Sequence, residues 1–234
     1  MKIVSFSGGK DSTAMLIILL ENQISFDVVV FCDTGAEFPE IYDHIDVVEK
    51  KLGVEIIRIL PENSYSHWLA RYGWPRSYKR WCLRLLKLKP LKNYLSQEGI
   101  SEASFYLGIA SDEKHRMSKR NYSGNRYPLI DYKITEKEAL KICYRYGFYW
   151  NGLYEKINRT GCFWCPFQPF TELYKIFLYY PNLWQQIEEL DKMCCNDFKP
   201  YYPLSRLKRN FILKIKQGKL FDNYREKTKK WSVW

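Results

Sequence analysis

The sequence predicts an α/β protein with a doubly wound, mainly parallel sheet, followed by a helical, cysteine-containing C-terminal region. Short apolar segments alternate with helical patterns over the first 60 residues, and parallel strands require such crossover helices between them. The apolar segments do not alternate in polarity, as expected for strands that helices cover on both faces. Ligands of such sheets bind at the carboxyl ends of the strands, so we expect the site there.

Four strands and two well-marked helices are predicted before residue 110. The strands are Lys2–Phe6, Phe26–Cys32, Val54–Leu60 and Ser104–Ile109. The first helix, Ser12–Glu21, contains a continuous apolar run that implies burial on most of its sides. The second helix begins at Pro39 and ends at Gly53, residue types that favour a helix start and a helix end.

The rest of the chain is predicted to be mostly helical. The predicted helices are Cys82–Ser96, redirected at Pro90, one that begins at a Thr135–Glu138 capping box, and Thr171–Tyr180, Leu183–Cys194 and Leu204–Gln217. We expect Lys114–Tyr127 to form a loop over the site and Tyr224–Trp234 a basic tail. Residues 1–150 are predicted to form a nucleotide-binding α/β domain, and residues 151–234 a helical region packed on it.

Composition excludes two classes of protein and suggests a kind of partner. Hydrophobic residues make up 46% and aromatic residues 17% of the chain, which excludes a disordered protein. No apolar run reaches the roughly 20 residues of a membrane span. The seven cysteines are an odd number with spacings unlike a secreted disulfide framework, so we expect a cytoplasmic protein with reduced thiols. The net charge of +11 suggests an anionic partner, such as a nucleotide or a nucleic acid.

A candidate phosphate loop lies between the first strand and the first helix. It comprises Ser7, Gly8, Gly9, Lys10, Asp11 and Ser12. Main-chain amides at a helix start favour an anion, and glycines let the backbone approach phosphate closely. Lys10 adds a cation, and Asp11 is a candidate ligand for Mg²⁺ that bridges phosphate oxygens. The alternative is an ordinary glycine turn with Asp11 or Ser12 as helix cap. The spacing matches neither the Walker motif nor the dinucleotide fingerprint.

The segment S-G-G-K-D-S resembles the pyrophosphate loop of the PP-loop ATPases, also called the adenine nucleotide α-hydrolase-like group, whose fold is Rossmann-like. This resemblance implies binding of ATP or a related adenine nucleotide. For the members that use ATP, it implies cleavage between the α and β phosphates and adenylation of a substrate. Lys10 and Asp11 are then the candidate catalytic residues.

Three further segments resemble the phosphoadenosine phosphosulfate (PAPS) reductase family within that group. Asp33, Thr34 and Gly35 open a D-T-G-x-x-F-P-E segment and are nucleotide-binding candidates. A carboxylate at a strand end can bind ribose hydroxyls or metal, although a turn with a helix cap is the alternative. Trp81 opens a W-C-x-x-x-L-K-x-x-P-L pattern, and Tyr127–Tyr132 is similar to a P-L-x-D-W segment. The likeness spans about residues 1–170.

Two departures from the family pattern bear on function. The first arginine of the family's G-x-R-x-x-E-S-x-x-R segment is absent, which leaves Arg116 as a phosphate-binding candidate, with a solvated basic loop as the alternative. The family's C-terminal E-C-G-x-H-type nucleophile also has no match, because no cysteine follows Cys195. The resemblance therefore disfavours a thioredoxin-dependent sulfonucleotide reductase.

Cys162 and Cys165 form a C-x-x-C turn that can direct two thiolates at one metal. Resemblance to the family's iron–sulfur members adds Cys82 and implies a [4Fe–4S] cluster. Those members have an adjacent cysteine pair where this chain has Cys82 followed by leucine. The fourth ligand is Cys194 or Cys195, or else one iron stays open, an arrangement similar to that of the tRNA thiolases.

Two other interpretations of the cysteine turn remain open, a structural Zn²⁺ site and a redox or unliganded thiol pair. Cys32 and Cys143 are predicted to be core residues outside the site, since free cysteine behaves as a small hydrophobic side chain.

Three functions are compatible with the sequence. The first is an ATP-dependent enzyme that supports sulfur transfer, with DNA or tRNA as the acceptor and a sulfur-donor protein as a further partner. The second is an enzyme that acts on PAPS or adenosine phosphosulfate. The third is a nonenzymatic module that binds a nucleotide or a nucleic acid. In it, the aromatic-rich segment Ser64–Trp81 and the basic tail would contact a nucleic-acid strand.

Overall fold

A parallel sheet forms the centre of the computed structural model, which describes residues 1–116 and 124–217. Its strands are β1 (Lys2–Phe6), β2 (Val28–Cys32), β3 (Ile56–Ile59) and β4 (Ser104–Leu107). The strand order is β3-β2-β1-β4, and each neighbouring pair is parallel. The predicted parallel sheet is confirmed, and its second strand begins at residue 28 rather than 26.

Helices connect the strands and cover the sheet. The described helices are α1 (Lys10–Glu21), α2 (Pro39–Leu52), α3 (Tyr65–Tyr72), α4 (Trp81–Leu83), α5 (Lys89–Gln97), α6 (Pro128–Asp131), α7 (Glu136–Arg145), α8 (Leu153–Lys156), α9 (Phe170–Tyr179), α10 (Pro181–Asp191) and α11 (Leu204–Lys216). A π-helical turn, Arg84–Leu88, joins α4 to α5, where the sequence predicts one helix redirected at Pro90. Turns of 3₁₀ type occupy Ser111–Arg116 and Trp150–Gly152.

Two predicted helix boundaries are corrected. Helix α1 begins at Lys10 rather than Ser12, because Gly9 in an extended conformation is the N-cap residue and no side chain caps the helix. Helix α10 ends at Asp191 rather than Cys194. The amides of residues 193 and 194 bond to carbonyls three residues back, so the chain tightens into a turn before Cys194.

The sheet is buried on both faces, as its apolar strands predict. On one face Ile3, Val30 and Ile59 pack against Leu91 and Leu95 of α5. The alternate strand residues join the main hydrophobic core, to which α1, α2 and α7 also contribute. Each fully buried aliphatic side chain of this kind contributes about 1.5–3 kcal/mol, so burial on two faces stabilises the strands that carry the site.

The strand order positions a crevice at the carboxyl edge of the sheet. Strands β2 and β3 lie on one side of β1, and β4 lies on the other. The loops that follow β1 and β4 therefore diverge, and ligands of open α/β sheets bind at this point. Gly108 follows β4 and packs closely on α1, since a Cβ atom there would lie 3.0 Å from the Cα of Ser12.

The C-terminal helices continue the same hydrophobic core. Leu173 of α9, Trp184 of α10 and Phe211 of α11 are buried in one continuous cluster with Val4 and Phe31 of the sheet. The predicted helical C-terminal region is therefore present through residue 217. The domain boundary at residue 150 stays a prediction.

Two predicted features fall outside the described residues. The basic tail Tyr224–Trp234 lies wholly outside them, as does the middle of the predicted loop Lys114–Tyr127. Arg116 ends a 3₁₀ turn, but its side chain also lies outside the description, so its phosphate contact stays a prediction. In the described part of the chain, each helix is too short or too polar to cross a membrane.

Candidate nucleotide crevice and cysteine site

The phosphate loop, Ser7–Ser12, is a tight turn between β1 and α1. Gly8 has a φ of +72°, and a Cβ atom there would lie only 2.6 Å from Cγ2 of the buried Ile41. The Ser12 hydroxyl donates to the Gly9 carbonyl at 2.9 Å and accepts from the Ser7 amide at 3.2 Å. The turn therefore requires glycine at position 8, and hydrogen bonds between the Ser12 hydroxyl and the backbone stabilise it.

Lys10 lies almost fully buried between carboxylates. Its ammonium group is 3.3 Å from Asp11 Oδ2 and 3.1 Å from Glu136 Oε1, and the side chain is 8% exposed. Burial raises the pKa of Asp11 to about 6, although the Lys10 charge acts in the opposite direction. The predicted phosphate cation is thus present beside the loop, with its charge shared by two carboxylates.

Three carboxylates converge at the crevice. Oxygen atoms of Asp11, Glu113 and Glu136 lie within 4.8 Å of one another. Glu113 comes from the 3₁₀ turn after β4 and lies 3.7 Å from an Arg159 nitrogen, and Glu136 is the first residue of α7. Sequence reasoning identified Asp11 but missed both glutamates. Their position is predictable only from the strand order that brings the β1 and β4 loops together.

Two hydroxyl groups from beyond residue 150 contact the phosphate loop. The Lys10 amide donates to the Tyr154 hydroxyl at 2.7 Å, and that hydroxyl is 3.1 Å from Thr160 Oγ1. Burial raises the pKa of Tyr154. A Cβ atom on Gly9 would lie 2.8 Å from Thr160 Oγ1. No sequence signal identifies either residue, because neither belongs to a motif near the loop.

The segment after β2, residues 33–38, forms a second loop at the same edge, here called the D-T-G loop. Asp33 Oδ1 accepts from the Gly35 amide at 2.8 Å and from the Tyr42 hydroxyl at 2.7 Å. Gly35 has a φ of +70°, and nothing lies within 4 Å of the position of a Cβ atom. The Asp33 carboxylate therefore organises the turn, and its predicted contact with a nucleotide stays a prediction.

The cysteine turn, Cys162–Cys165, is bonded to the D-T-G loop. The Phe163 amide donates to the Ala36 carbonyl at 2.9 Å, and the Cys165 amide donates to the Cys162 carbonyl at 3.0 Å. Thr34 Oγ1 lies 3.7 Å from Cys162 Sγ. A displacement of either segment would therefore disturb the other.

Aromatic neighbours of the predicted cysteine ligands pack around Tyr65. The Tyr65 ring stacks on Trp164, inside the cysteine turn, with 4.7 Å between ring centroids. The ring of Trp81, the neighbour of Cys82, lies 5.1 Å away. Burial raises the pKa of Tyr65, and the charges of Cys82, Cys165, Cys162 and Cys194 raise it further. Tyr65 thus packs between the cysteine turn and the segment of Cys82, and the predicted metal ligation stays a prediction.

The spacing of the thiols bears on the kind of metal. All seven cysteines are free thiols. In the described residues, no three cysteine sulfurs lie within 4.8 Å of one another. A single Zn²⁺ with bonds of about 2.3 Å needs sulfurs roughly 4 Å apart, whereas the irons at the corners of a cubane cluster take thiolates that are further apart. The kind of metal at these partly buried cysteines stays a prediction.

Cys143 and Cys32 lie apart from this group. Cys143 is fully buried in α7, and its Sγ donates to the Lys10 carbonyl at 3.3 Å. Cys32 ends β2, 3.9 Å from the Lys87 carbonyl. Both are packing residues, as predicted.

A cleft connects the D-T-G loop with the cysteine region. It has a volume of about 540 Å³, and its lining includes Asp33, Thr34, Tyr65, Trp164 and Met193. This size is within the range of small-molecule sites. The cleft extends from the D-T-G loop to Trp164 of the cysteine turn.

Comparison with known proteins identifies the family. The profile of the phosphoadenosine phosphosulfate reductase domain matches residues 2–168. An uncharacterized protein of Methanocaldococcus jannaschii is 34% identical over 197 residues, which are 80% of this chain and 41% of that protein. A second uncharacterized protein of the same organism is 30% identical and shares 78% of this chain and 45% of its own length. The chain thus spans less than half of each of these two relatives.

Named enzymes and a solved structure are less similar to this chain in sequence. The adenosine 5′-phosphosulfate reductase of Salinibacter ruber is 25% identical over 147 residues, which are 58% of this chain and 56% of that protein. The crystal structure of phosphoadenylyl-sulfate (PAPS) reductase from Candida auris, as a phosphate complex, matches with a TM-score of 0.50 and 15% identity. It covers 66% of this chain and 76% of that one. On the profile match and the shared fold, the chain belongs to the phosphoadenosine phosphosulfate reductase domain family of the PP-loop group.

Proposed function

We propose that this chain is a sulfonucleotide enzyme that acts on adenosine 5′-phosphosulfate or its 3′-phosphorylated form. The observation that carries this proposal is the bond between the cysteine turn and the D-T-G loop, from the Phe163 amide to the Ala36 carbonyl. It holds the cysteine turn beside the loop that follows β2, at the carboxyl edge of the sheet, and a substrate with a phosphate and an adjacent sulfate would span such a pair of segments. The family match supports the same substrate class.

The phosphate loop would bind the 5′-phosphate. Its glycines leave the main-chain amides accessible to an anion at the start of α1, and Lys10 supplies positive charge nearby. The amide of Lys10 now donates to the Tyr154 hydroxyl, so a phosphate oxygen would replace or share that acceptor. Burial of Lys10 among protein groups strengthens its interaction with a bound anion.

The cysteine region would hold a [4Fe–4S] cluster through Cys82, Cys162 and Cys165. A bound cluster supplies a polarisable, electrostatically active group beside the sulfate. Around it, the aromatic side chains of Tyr65, Trp81 and Trp164 exclude water, and Thr34 connects the thiols to the nucleotide loop. Reduction of the sulfate to sulfite would consume two electrons from a dithiol. One thiolate of the dithiol would attack the sulfate sulfur, because the chain has no cysteine after Cys195 to do so. The bond from that sulfur to the phosphate oxygen would break, and AMP, or its 3′-phosphorylated form, would leave with the bonding electron pair. The second thiol would then attack the thiol-bound sulfur, so that a disulfide forms and sulfite is released.

A product assay tests this proposal. Anaerobically purified protein is mixed with ³⁵S-labelled adenosine 5′-phosphosulfate or PAPS and with thioredoxin or dithiothreitol as the dithiol. We expect labelled sulfite and, in equal amount, AMP from adenosine 5′-phosphosulfate or adenosine 3′,5′-bisphosphate from PAPS. Failure of both sulfonucleotides to bind or to release sulfite, under conditions where the iron content is full, would overturn the proposal.

A second function is favoured by the carboxylate trio at the crevice. Asp11, Glu113 and Glu136 offer oxygen ligands of the kind that Mg²⁺ prefers, beside the loop that would bind a polyphosphate. ATP cleavage between the α and β phosphates would use this ion, and adenylation would then support sulfur transfer from a donor protein to DNA or tRNA. The net charge of +11 suits a nucleic-acid partner. Mg²⁺-dependent release of pyrophosphate and AMP from ATP, without sulfite, would favour this function.

A further inference from the structure

We infer that Cys194, from the segment after α10, is the fourth cysteine ligand of the cluster proposed for Cys82, Cys162 and Cys165. The inference rests on the proposed cluster and adds a ligand from beyond residues 2–168, the part that matches the family profile. The segment of Cys82 cannot supply a second thiol, because the next residue is Leu83, which is exposed.

Tyr65 is the centre of the arrangement, since its ring contacts an aromatic residue from each cysteine-bearing part of the chain. Trp164 belongs to the cysteine turn, and Trp81 precedes Cys82. The third contact is Trp74, 6.4 Å away between ring centroids. Trp74 connects Tyr65 with the segment that contains Cys194.

Residues 191–198, here called the clasp segment, are bound to the Trp74 region on both sides of Cys194. The Trp74 indole donates to Asp191 Oδ1 at 2.7 Å, and the Trp74 amide donates to Asn196 Oδ1 at 2.7 Å. The Asn196 amide group donates back to the Trp74 carbonyl at 3.1 Å. Arg76 adds bonds to the carbonyls of residues 197 and 198. Hydrogen bonds on both sides of Cys194 therefore hold its backbone beside the aromatic group.

The hydroxyl group of Tyr65 is the independent sign of a ligand. Tyr65 is 5% exposed, and in the described structure its hydroxyl has no hydrogen-bond partner. Buried hydroxyls are nearly always paired. Cys194, Cys82 and Cys162 pack against the same hydrophobic core cluster, which contains Tyr65 and its aromatic neighbours. A cluster among them would offer the hydroxyl a thiolate or sulfide acceptor.

Cys194 and Cys195 differ in burial, and this difference makes Cys194 the candidate ligand. Cys194 is partly buried and packs against the hydrophobic core, and its thiol donates to the Leu190 carbonyl at 3.4 Å. Cys195 is exposed. The early end of α10 at Asp191 is what turns Cys194 inward. The two adjacent thiols therefore make a matched pair for experiment.

Four cysteine ligands would have a functional consequence. Each iron of a [4Fe–4S] cluster would carry a cysteine, so no iron would be open to carry a transferable sulfur. The inference therefore favours the sulfonucleotide function over sulfur transfer.

Iron content and electron paramagnetic resonance (EPR) test the assignment. The parent chain and its variants Cys194→Ala, Cys195→Ala and Cys82→Ala are each reconstituted anaerobically with iron and sulfide. We expect about four irons in the parent and in Cys195→Ala. Cys194→Ala should lose about a quarter of its iron and give a [3Fe–4S] signal on oxidation.

The outcomes separate this inference from the cluster proposal. Equal iron content and spectra in Cys194→Ala and Cys195→Ala, with loss in Cys82→Ala, would overturn the inference and leave the cluster proposal intact. A parent that binds no iron would overturn both. If Cys194→Ala does not fold, the cyanide test on the parent and on Cys195→Ala decides, because an open iron that appears only in Cys195→Ala would make Cys195 the ligand and overturn the inference. Added cyanide should leave the reduced cluster's EPR spectrum unchanged, and a new signal would mean an open iron and contradict the assignment.

Discussion

The phosphate loop and the cysteine region are built in different ways, although they meet at one edge of the sheet. The loop is six consecutive residues between β1 and α1, and its geometry comes from glycine conformation and from serine bonds inside the turn. The cysteine region joins segments near residues 65, 74, 82, 163 and 194 through aromatic contacts and the clasp segment. Local sequence determines the first region, and packing of the whole chain assembles the second.

The largest effect expected in the loop comes from Gly8→Ala. The added Cβ atom would meet Ile41 Cγ2 at 2.6 Å in a backbone with a φ of +72°, so we expect a loss of about 3 kcal/mol in the free energy of unfolding. Gly35→Ala is the matched control, because its φ is +70° but nothing lies within 4 Å. It should lose about 1 kcal/mol. Urea unfolding measures both, and equal losses would contradict a steric role for Gly8.

Asp11→Asn tests the electrostatics of the same loop. Burial raises the pKa of Asp11 to about 6 from an ordinary value of 3.8. The free energy of unfolding falls as pH rises from 3.8 to about 6, because the Asp11 carboxyl ionises at lower pH in the unfolded chain than in the folded one. Relative to the parent, Asp11→Asn should therefore gain up to about 3 kcal/mol between pH 4 and pH 6.5.

Urea unfolding across this pH range supplies the check on Asp11→Asn. Asp43→Asn, at an exposed position of α2, is the control. A stability difference between Asp11→Asn and the parent that stays constant with pH would show that Asp11 does not titrate in this range.

Asn196→Ala tests whether the clasp segment assembles the cysteine region. The change removes two hydrogen bonds with the Trp74 backbone, and we expect a loss of about 2 kcal/mol because buried polar groups are left unpaired. The reconstituted variant should also lose iron to a chelator faster than the parent. Asn93→Ala, at an exposed position of α5, should match the parent in both measurements. Iron retention unaffected by Asn196→Ala would separate the clasp from the cysteine site.

Tyr154→Phe has the smallest expected effect on stability. It removes the hydroxyl that accepts the Lys10 amide at 2.7 Å, and the expected loss is about 1 kcal/mol. Tyr149→Phe is the control, since Tyr149 is exposed. Thermal unfolding compares the two, and an equal change would mean that the Tyr154 hydroxyl does not support the loop.

The sequence predicted the features that short segments determine. The parallel sheet, the phosphate loop and the Thr135 capping box follow from apolar runs, glycine position and cap chemistry. The predicted cysteine trio relied on resemblance to a family and stays a prediction, although Tyr65 packs against the aromatic neighbours of Cys82 and Cys165.

The missed features depend on residues far apart in the chain. Glu136 meets Lys10 across a separation of 126 residues, and Asn196 meets Trp74 across 122. No local sequence pattern predicts such contacts. The predicted end of α10 was wrong for a related reason. The spacing of Ile187, Leu190 and Cys194 is also that of a continuing helix. In the structure Cys194 lies in a turn after α10 and packs against the core from there.

The central claim is that the phosphate loop binds the 5′-phosphate of a sulfonucleotide with the help of Lys10. Equilibrium binding of labelled adenosine 5′-phosphosulfate to the parent, Lys10→Ala and the exposed control Lys50→Ala tests it most directly. Loss of the buried ammonium group should weaken binding at least tenfold, or about 1.4 kcal/mol, while Lys50→Ala binds as the parent does. Equal affinity of Lys10→Ala and the parent would contradict the claim.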